Sequence, residues 1–414
     1  MKNSRVLYLL LPVFTFLSCA DPKGNNSDRE QLALGEQRII DSLPGSCPYL
    51  STADNDFVIS WIRELSDSEA VMCYSVYAGG GTAFGPPAVI PGSGNVNPHG
   101  ENMPKIIVKQ GGNMIAAWGA SNPRPENKYS GLVFYAQSSD QGKTWSESVP
   151  LSADSASADQ RYFDMELLPD NNVGVIWLDN RTTTKKEGST LYFAKTAGES
   201  GFTSEKVIGQ TCCQCCRTDL FISDDQNIHI AYRKIINDSI RDMVHAVSED
   251  HAGSFSAPNR ISPDNWVING CPHTGPAIAQ HKDRLYFTWY TMGNGSGVFF
   301  CSSGDNGRSF SKKDTVSLNP SARHPQIVCT KSGTIMIVWD EAVTSGNRNS
   351  RVGLQIRSSA GDIITSEFIT PDSLSATFPV IRAIGDKFLI AYTLRANEKT
   401  NIAYRTGMLT GALH

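Results

Sequence analysis

The strongest constraint in this sequence is a period. Seven lead-in positions, Cys47, Met103, Arg161, Cys216, Cys271, His324 and Phe378, recur at intervals of 53 to 58 residues, and each opens on two β-type runs. A unit of about 50 residues holding four short strands cannot bury both of its faces alone. Such units must therefore stack, and a stack that closes on itself is a β-propeller. With 35 Gly, 21 Pro and 40% hydrophobic residues in 414, the composition suits many strands joined by turns in one large domain.

The second strands of the units align as Phe57 to Trp61, Met114 to Trp118, Val173 to Trp177, Ile228 to Tyr232, Leu285 to Trp289, Ile335 to Trp339 and Phe388 to Tyr392. Each ends in Trp or Tyr, a side chain large enough to fill the wedge between neighbouring blades, so these aromatics read as core. The sixth unit is the clearest, with strands predicted over His324–Cys329, Thr334–Trp339, Val352–Arg357 and Glu367–Thr370. The last unit lacks an outermost strand, and the run Glu36 to Asp41 upstream of the first unit is available to supply it, which would leave no sheet edge unpaired. This arithmetic predicts an all-β propeller of seven four-stranded blades, with six as the alternative, over residues 34–414.

The first residues read as a targeting segment. Lys2 and Arg5 precede an apolar run from Val6 to Leu17, too short to span a bilayer, followed by Ser18-Cys19-Ala20. The arrangement resembles the lipobox of bacterial lipoproteins, which implies a signal peptide over 1–18, acylation of Cys19 and a polar tether over 19–33. The expected location is the cell envelope, on a membrane but not across it, periplasmic or surface-exposed. A formal net charge of -4 provides no basic excess for a nucleic-acid partner.

Between third and fourth strands, Ser138-Ser139-Asp140-Gln141-Gly142-Lys143-Thr144-Trp145 and Ser303-Gly304-Asp305-Asn306-Gly307-Arg308-Ser309-Phe310 share the pattern S-x-D-x-G-x-[ST]-[WF], and Ser248 to Phe255 is a degraded copy. The Asp caps the turn, the Gly supplies a positive φ and the aromatic plugs the blade. These segments resemble the Asp-boxes of the sialidase superfamily, and the chain from about residue 34 is similar to bacterial sialidase-like, BNR-repeat proteins. The resemblance implies that the boxes are structural and that any site lies on the opposite face. If the chain is an enzyme, it implies a glycoside hydrolase of sialidase type.

On that opposite face the sequence gathers unusual residues: Ser46-Cys47-Pro48, His99 with Glu101, Gln160-Arg161, Cys212 to Arg217, Gly270-Cys271-Pro272-His273 and Arg323-His324-Pro325. Sialidases hold a carboxylate with three arginines, and Arg161, Arg217 and Arg323 occupy comparable positions in three units; Arg181 and Arg241 lie in the adjoining turns. Asp179, Asp242 and Asp340 are the candidates for acid and base. The Arg-Ile-Pro motif that opens the first blade of sialidases is absent, with Ser46-Cys47-Pro48 in its place, and no Tyr and Glu pair can be assigned as nucleophile. The favoured reading is recognition, with hydrolysis as an option, of an extracellular glycan or other anionic ligand.

Ten cysteines less an acylated Cys19 leave nine, so not all can pair within the chain. Cys73, Cys301 and Cys329 sit in apolar strands and read as core thiols. Cys47, Cys212, Cys213, Cys215, Cys216 and Cys271 fall on the channel side, where disulfides compete with a soft metal, copper or zinc. Cys215, Cys216 and Cys271 with His273 and His324 are the candidate ligands. The alternative to glycan recognition is thus a non-catalytic, metal-binding or scaffolding propeller.

Overall fold

The computed structural model describes residues 31–78, 80–125, 127–154, 156–181, 187–343, 348–396 and 399–410. The signal segment 1–18, Cys19 and all of the tether up to residue 30 lie outside the described residues. No helix occurs among those described, and every sheet is antiparallel. The protein is an all-β propeller.

The strands fall into four-stranded groups in chain order, each running outward from the axis: Gly45–Ala53 to Ala88–Val89, Lys105–Val108 to Val149–Pro150, Gln160–Leu167 to Phe202–Cys212, Asp219–Ile222 to Asn259–Arg260, Ala277–His281 to Asp314–Ser317, and Arg323–Cys329 to Ile363–Phe368. The third and fourth groups are joined into one sheet by a single pairing, Cys212 with Lys234. The last sheet combines Ser375–Ile384, Lys387–Ala396 and Lys399–Thr410 with two N-terminal strands. Each innermost strand contacts the innermost strand of the next group, and Ser375–Ile384 contacts Gly45–Ala53, so the circle closes.

Apolar clusters fill the wedges between neighbouring sheets, one to a wedge. Trp118 packs with Tyr49 and Met72, Trp177 with Tyr135 and Phe163, Trp289 with Met243 and Phe287, and Trp339 with Tyr286 and Tyr290. The closing wedge holds Trp61 and Leu50 against Leu389 and Tyr404. The Trp or Tyr expected to end each second strand is at most 2% exposed at all seven positions, as filling of the wedge requires. Burying side chains of this size contributes about 1.5–3 kcal/mol each and drives the stacking.

The second strands all run past their Trp or Tyr, ending at Glu64, Ser121, Asp179, Ile236, Thr291, Ala342 and Ala396, and two further strands also differ from expectation. The clasp of the last sheet is two strands, Gln31–Leu34 and Arg38–Ile39, both paired with Lys399–Thr410, instead of one strand over Glu36 to Asp41. Gly35 interrupts them but keeps the ladder, its N–H donating to the Thr406 carbonyl at 2.8 Å. In the sixth group the outermost strand is Ile363–Phe368, earlier than the expected Glu367–Thr370, because a short turn after Arg357 returns the chain at Ile363. Ile363 and Ile364 lie exposed on the sheet edge, so their apolar character was no guide to core.

The three S-x-D turns share one hydrogen-bond set. Asp140, Asp250 and Asp305 each accept from the backbone N–H and hydroxyl four residues on, at Thr144, Ser254 and Ser309. The degraded copy keeps the set by holding Ala252 at φ 69°, where the others have Gly142 and Gly307 at 82° and 80°. At Gly307 the glycine serves a second purpose, since a Cβ would stand 2.2 Å from the His245 ring.

Candidate functional site

At the lead-ins to the innermost strands the chain repeats one irregularity. Register slips between Ser46 and Tyr49, Arg161 and Asp164, Arg323 and Gln326, and Thr377 and Val380 each insert a bulge. Inside these bulges Cys47, Tyr162, His324 and Phe378 all take left-handed φ values between 50° and 59°. His273, just ahead of its own inner strand, does the same at 49°. A bulge re-aims one side chain, and here the re-aimed residues meet. The His324 ring lies 4.1 Å from that of Phe378, and the Tyr162 hydroxyl is 3.5 Å from His273 Nδ1. His99 packs edge-on against Tyr162 at 5.4 Å and tilted against His273 at 5.8 Å.

Of these groups His99, Tyr162 and His273 line a cavity of about 530 Å³. His99, Tyr162 and His273 form its chemically active wall, with Arg161, Lys128, Gln160, Cys215 and Cys271 around them. Tyr129, 72% exposed, stands at the rim with the Lys128 ammonium 5.0 Å from its ring centre. No Asp or Glu is among the described lining residues. Burial lowers the pKa of His99, and the nearby His273, Arg161 and His324 add to that against the opposing Glu101, so the ring is neutral at neutral pH. Its Nδ1 accepts the Glu101 N–H at 3.2 Å, which leaves the proton of the neutral ring on Nε2. Burial, reinforced by Cys215 and Cys216, pushes the Tyr162 phenol well above its ordinary value, so it stays protonated.

Behind the cavity lies a packed ionic layer. Glu101, 2% exposed, faces Arg217 at 3.6 Å, and Arg217 donates to the carbonyls of Gly275 and Pro325 at 3.4 and 3.1 Å. Lys105 sits fully buried between the rings of Tyr49 and Phe163 at 4.8 and 4.7 Å, and desolvation draws its pKa down to about 8.

The three arginines chosen from the sequence have separate partners. Arg161 is held bidentately by Asp159 at 2.6 and 2.9 Å on the cavity wall; Arg217 belongs to the ionic layer; Arg323 donates to the Pro320 carbonyl and lies 4.0 Å over the Tyr290 ring. Arg181 is tied to Asp154, Asp179 and Glu205, and Arg241 to Glu187 and Cys213. Among the carboxylates, Asp179 accepts from Ser157, Trp177 and the Arg181 N–H, and Asp242 from Arg260 and the N–H groups of Asn265 and Trp266. Asp340 accepts from His324 Nδ1 at 2.7 Å and the Phe378 N–H at 2.6 Å. Burial alone would lower the His324 pKa, but the Asp340 charge and hydrogen bond outweigh it and the net shift is upward.

Of the proposed metal ligands, Cys215, Cys271 and His273 reach the cavity, whereas His324 is engaged by Asp340. Cys216 instead joins Cys213 and Cys215, and these three sulfurs lie within 4.8 Å of one another. Tyr162, Lys128 and Tyr129 are cavity residues that the sequence left unassigned, and Cys213 was placed on the channel side but not among the candidate ligands. For Tyr162 the available signal was its place directly after Arg161, inside a lead-in that the structure bulges by one residue.

No protein-family profile matches the chain, and no curated protein matches it. Among solved structures, a protein of unknown function from Dyadobacter fermentans aligns with TM-score 0.56 at 12% identity, covering 92% of this chain and 99% of that one. The polysaccharide lyase Uly1 aligns with TM-score 0.55 at 11% identity over 89% of this chain and 90% of that one. An ulvan lyase bound to -[GlcA(1-4)Rha3S]- aligns with TM-score 0.55 at 10% identity over 92% and 96%. At these identities the likeness is one of fold.

Proposed function

We propose that the chain binds an anionic, uronate-bearing polysaccharide at the axial cavity and cleaves it by β-elimination. The observation that carries this reading is the cavity wall: two imidazoles and a phenol in mutual contact, cations beside them, and no carboxylate among the described lining residues. In most families hydrolysis of a glycoside uses two carboxyl groups flanking one bond, and sialidases replace one of them with a Tyr nucleophile. Elimination requires something else: donors that neutralise the uronate carboxylate, a base for the proton α to it, and an acid for the leaving oxygen.

Arg161, Lys128 and the Nε2–H of His99 supply the first. His273 takes the proton from C5, the C5–H electron pair becomes the C4=C5 double bond, and the C4–O bond breaks. The phenol of Tyr162 then protonates the departing oxygen. No water, oxidant or cofactor enters the balance. Tyr129 at the rim offers the flat face on which a sugar ring stacks. The lyases of similar fold act in the same sense, since GlcA is a uronate, and they support the substrate class.

The test is incubation of the purified protein with a panel of uronate polysaccharides, ulvan among them, following the ultraviolet absorbance of a new C4=C5 double bond. New reducing ends that form without that absorbance would overturn elimination in favour of hydrolysis. We propose in addition that the chain is exported and anchored to a membrane through Cys19, a reading supported by the sequence of the first 20 residues. A soft metal at the cysteine cluster, copper or zinc, is not needed by this chemistry.

A further inference from the structure

Cys213, Cys215 and Cys216 lie apart from the acid–base wall and have their own packing. With Ile235 they form a small cluster in which the three sulfurs are 1 to 3% exposed. Cys213 Sγ is 3.5 Å from Cys215 Sγ and 3.7 Å from Cys216 Sγ, and no two described sulfurs are bonded. The turn that presents them follows the end of Phe202–Cys212 and is fastened by the Cys213 N–H, which donates to the Arg233 carbonyl at 2.8 Å. Cys212 points elsewhere, into the apolar wedge with Leu191 and Tyr232.

We propose that these three thiolates bind one monovalent soft cation, Cu(I), in a trigonal site. A metal–sulfur bond of about 2.3 Å places three sulfurs in a plane roughly 4 Å from one another, close to the spacings seen. Among the described residues no fourth His, Cys, Asp or Glu donor belongs to the group. Zinc prefers four ligands in a tetrahedron, whereas soft thiolates select Cu(I) without that demand. Three thiolates around one monovalent ion carry a net charge of minus two, and two guanidiniums face it: Arg241 Nη1 stands 3.2 Å from Cys213 Sγ, with Glu187 on its other side, and buried Arg233, bonded to carbonyls, acts on the same sulfur. Groups that hydrogen-bond a ligand sulfur from outside the metal site hold it in place. Binding releases the three thiol protons to solvent and moves no electron. Cys215 alone of the three lines the axial cavity and gives the ion its way in.

The experiment uses the full chain, isolated without reductant, then reduced and titrated anaerobically with Cu(I) in competition with a Cu(I) chelator. One Cu(I) per chain is expected, with X-ray absorption showing three sulfur scatterers and no nitrogen. Cys213→Ser should weaken retention at least tenfold, while Cys271→Ser on the exposed cavity wall should not. The wild-type scatterer count stands even if Cys213→Ser fails to fold. Failure of the wild type to compete with the chelator would overturn the proposal. A Cys213–Cys216 disulfide in the protein as isolated, or preferential binding of Zn(II) with four ligands, would do so equally. Glycan cleavage is assayed separately on metal-free protein, so loss of one reading leaves the other standing.

Discussion

Acid should loosen this ring at one identifiable place. His229 and His245 stack with centroids 5.2 Å apart and share a 2.9 Å hydrogen bond between Nδ1 and Nε2, both rings being at most 1% exposed. Burial lowers the pKa of His229 to about 4 and that of His245 to about 3, the latter with help from its neighbour. In the unfolded chain both titrate near 6.5. Below that value the unfolded state binds more protons than the folded one, so the pair's stabilisation is intact above about pH 6.5 and is lost progressively as the pH falls toward the folded values. Between about pH 7.5 and about pH 5 the loss is about 2 kcal/mol for each ring, or about 4 kcal/mol for the pair. Glu166 and Asp219 work the other way, because burial raises each to about 7 and the folded state takes up their protons first. Wild-type stability alone would therefore hide the effect. The double substitution His229→Phe with His245→Phe isolates it, since Glu166 and Asp219 titrate in both proteins and Phe221, Phe287 and Phe310 already give the pair apolar neighbours. Urea denaturation at the two pH values should show the variant gaining about 4 kcal/mol on the wild type upon acidification. A variant-minus-wild-type difference that does not move with pH would refute the reasoning.

Three further outcomes are expected. Tyr162→Phe keeps the ring that packs on His99 but removes the acid, so kcat should fall by about 10²–10⁴ with KM little changed, read by the double-bond absorbance assay. Tyr129→Ala at the rim should raise KM several-fold and leave kcat near wild type, because the stacking surface acts on bound substrate and transition state alike. Cys19→Ala should abolish incorporation of labelled palmitate in bacteria expressing the full chain, and persistence of the label would sink the anchoring proposal.

The propeller was legible because its core is written at fixed places. Trp61, Trp118 and Trp177 recur at one place in the second strands, and the physics of filling a wedge demands a large apolar group there whatever the rest of the blade does. The site was harder to read because it depends on bulges. A slip of one residue changes which side chain faces a cavity, and left-handed φ values in Cys47, Tyr162, His324 and Phe378 are not announced by glycine. Hence Arg161 drew attention while Tyr162 beside it went unassigned. The cysteine cluster was visible as composition, but only the turn after Cys212 decides that Cys213 faces Cys215 and Cys216 while Cys212 enters a wedge.

The clasp formed by Gln31–Leu34 and Arg38–Ile39 on Lys399–Thr410 sets a timetable for synthesis. A chain that emerges from its N-terminus must carry its first strands unpaired until almost the last residues appear, because their partner is the final strand. Neighbouring sheets can pack as they are made, but the clasp cannot form before Lys399–Thr410 has been made. A chain threaded through a membrane in the same direction meets the same delay on the far side. Removal of most of Lys399–Thr410 should therefore leave Lys387–Ala396 as a bare sheet edge and the N-terminal strands without their partner, a species suited to capture by chaperones or by its own copies.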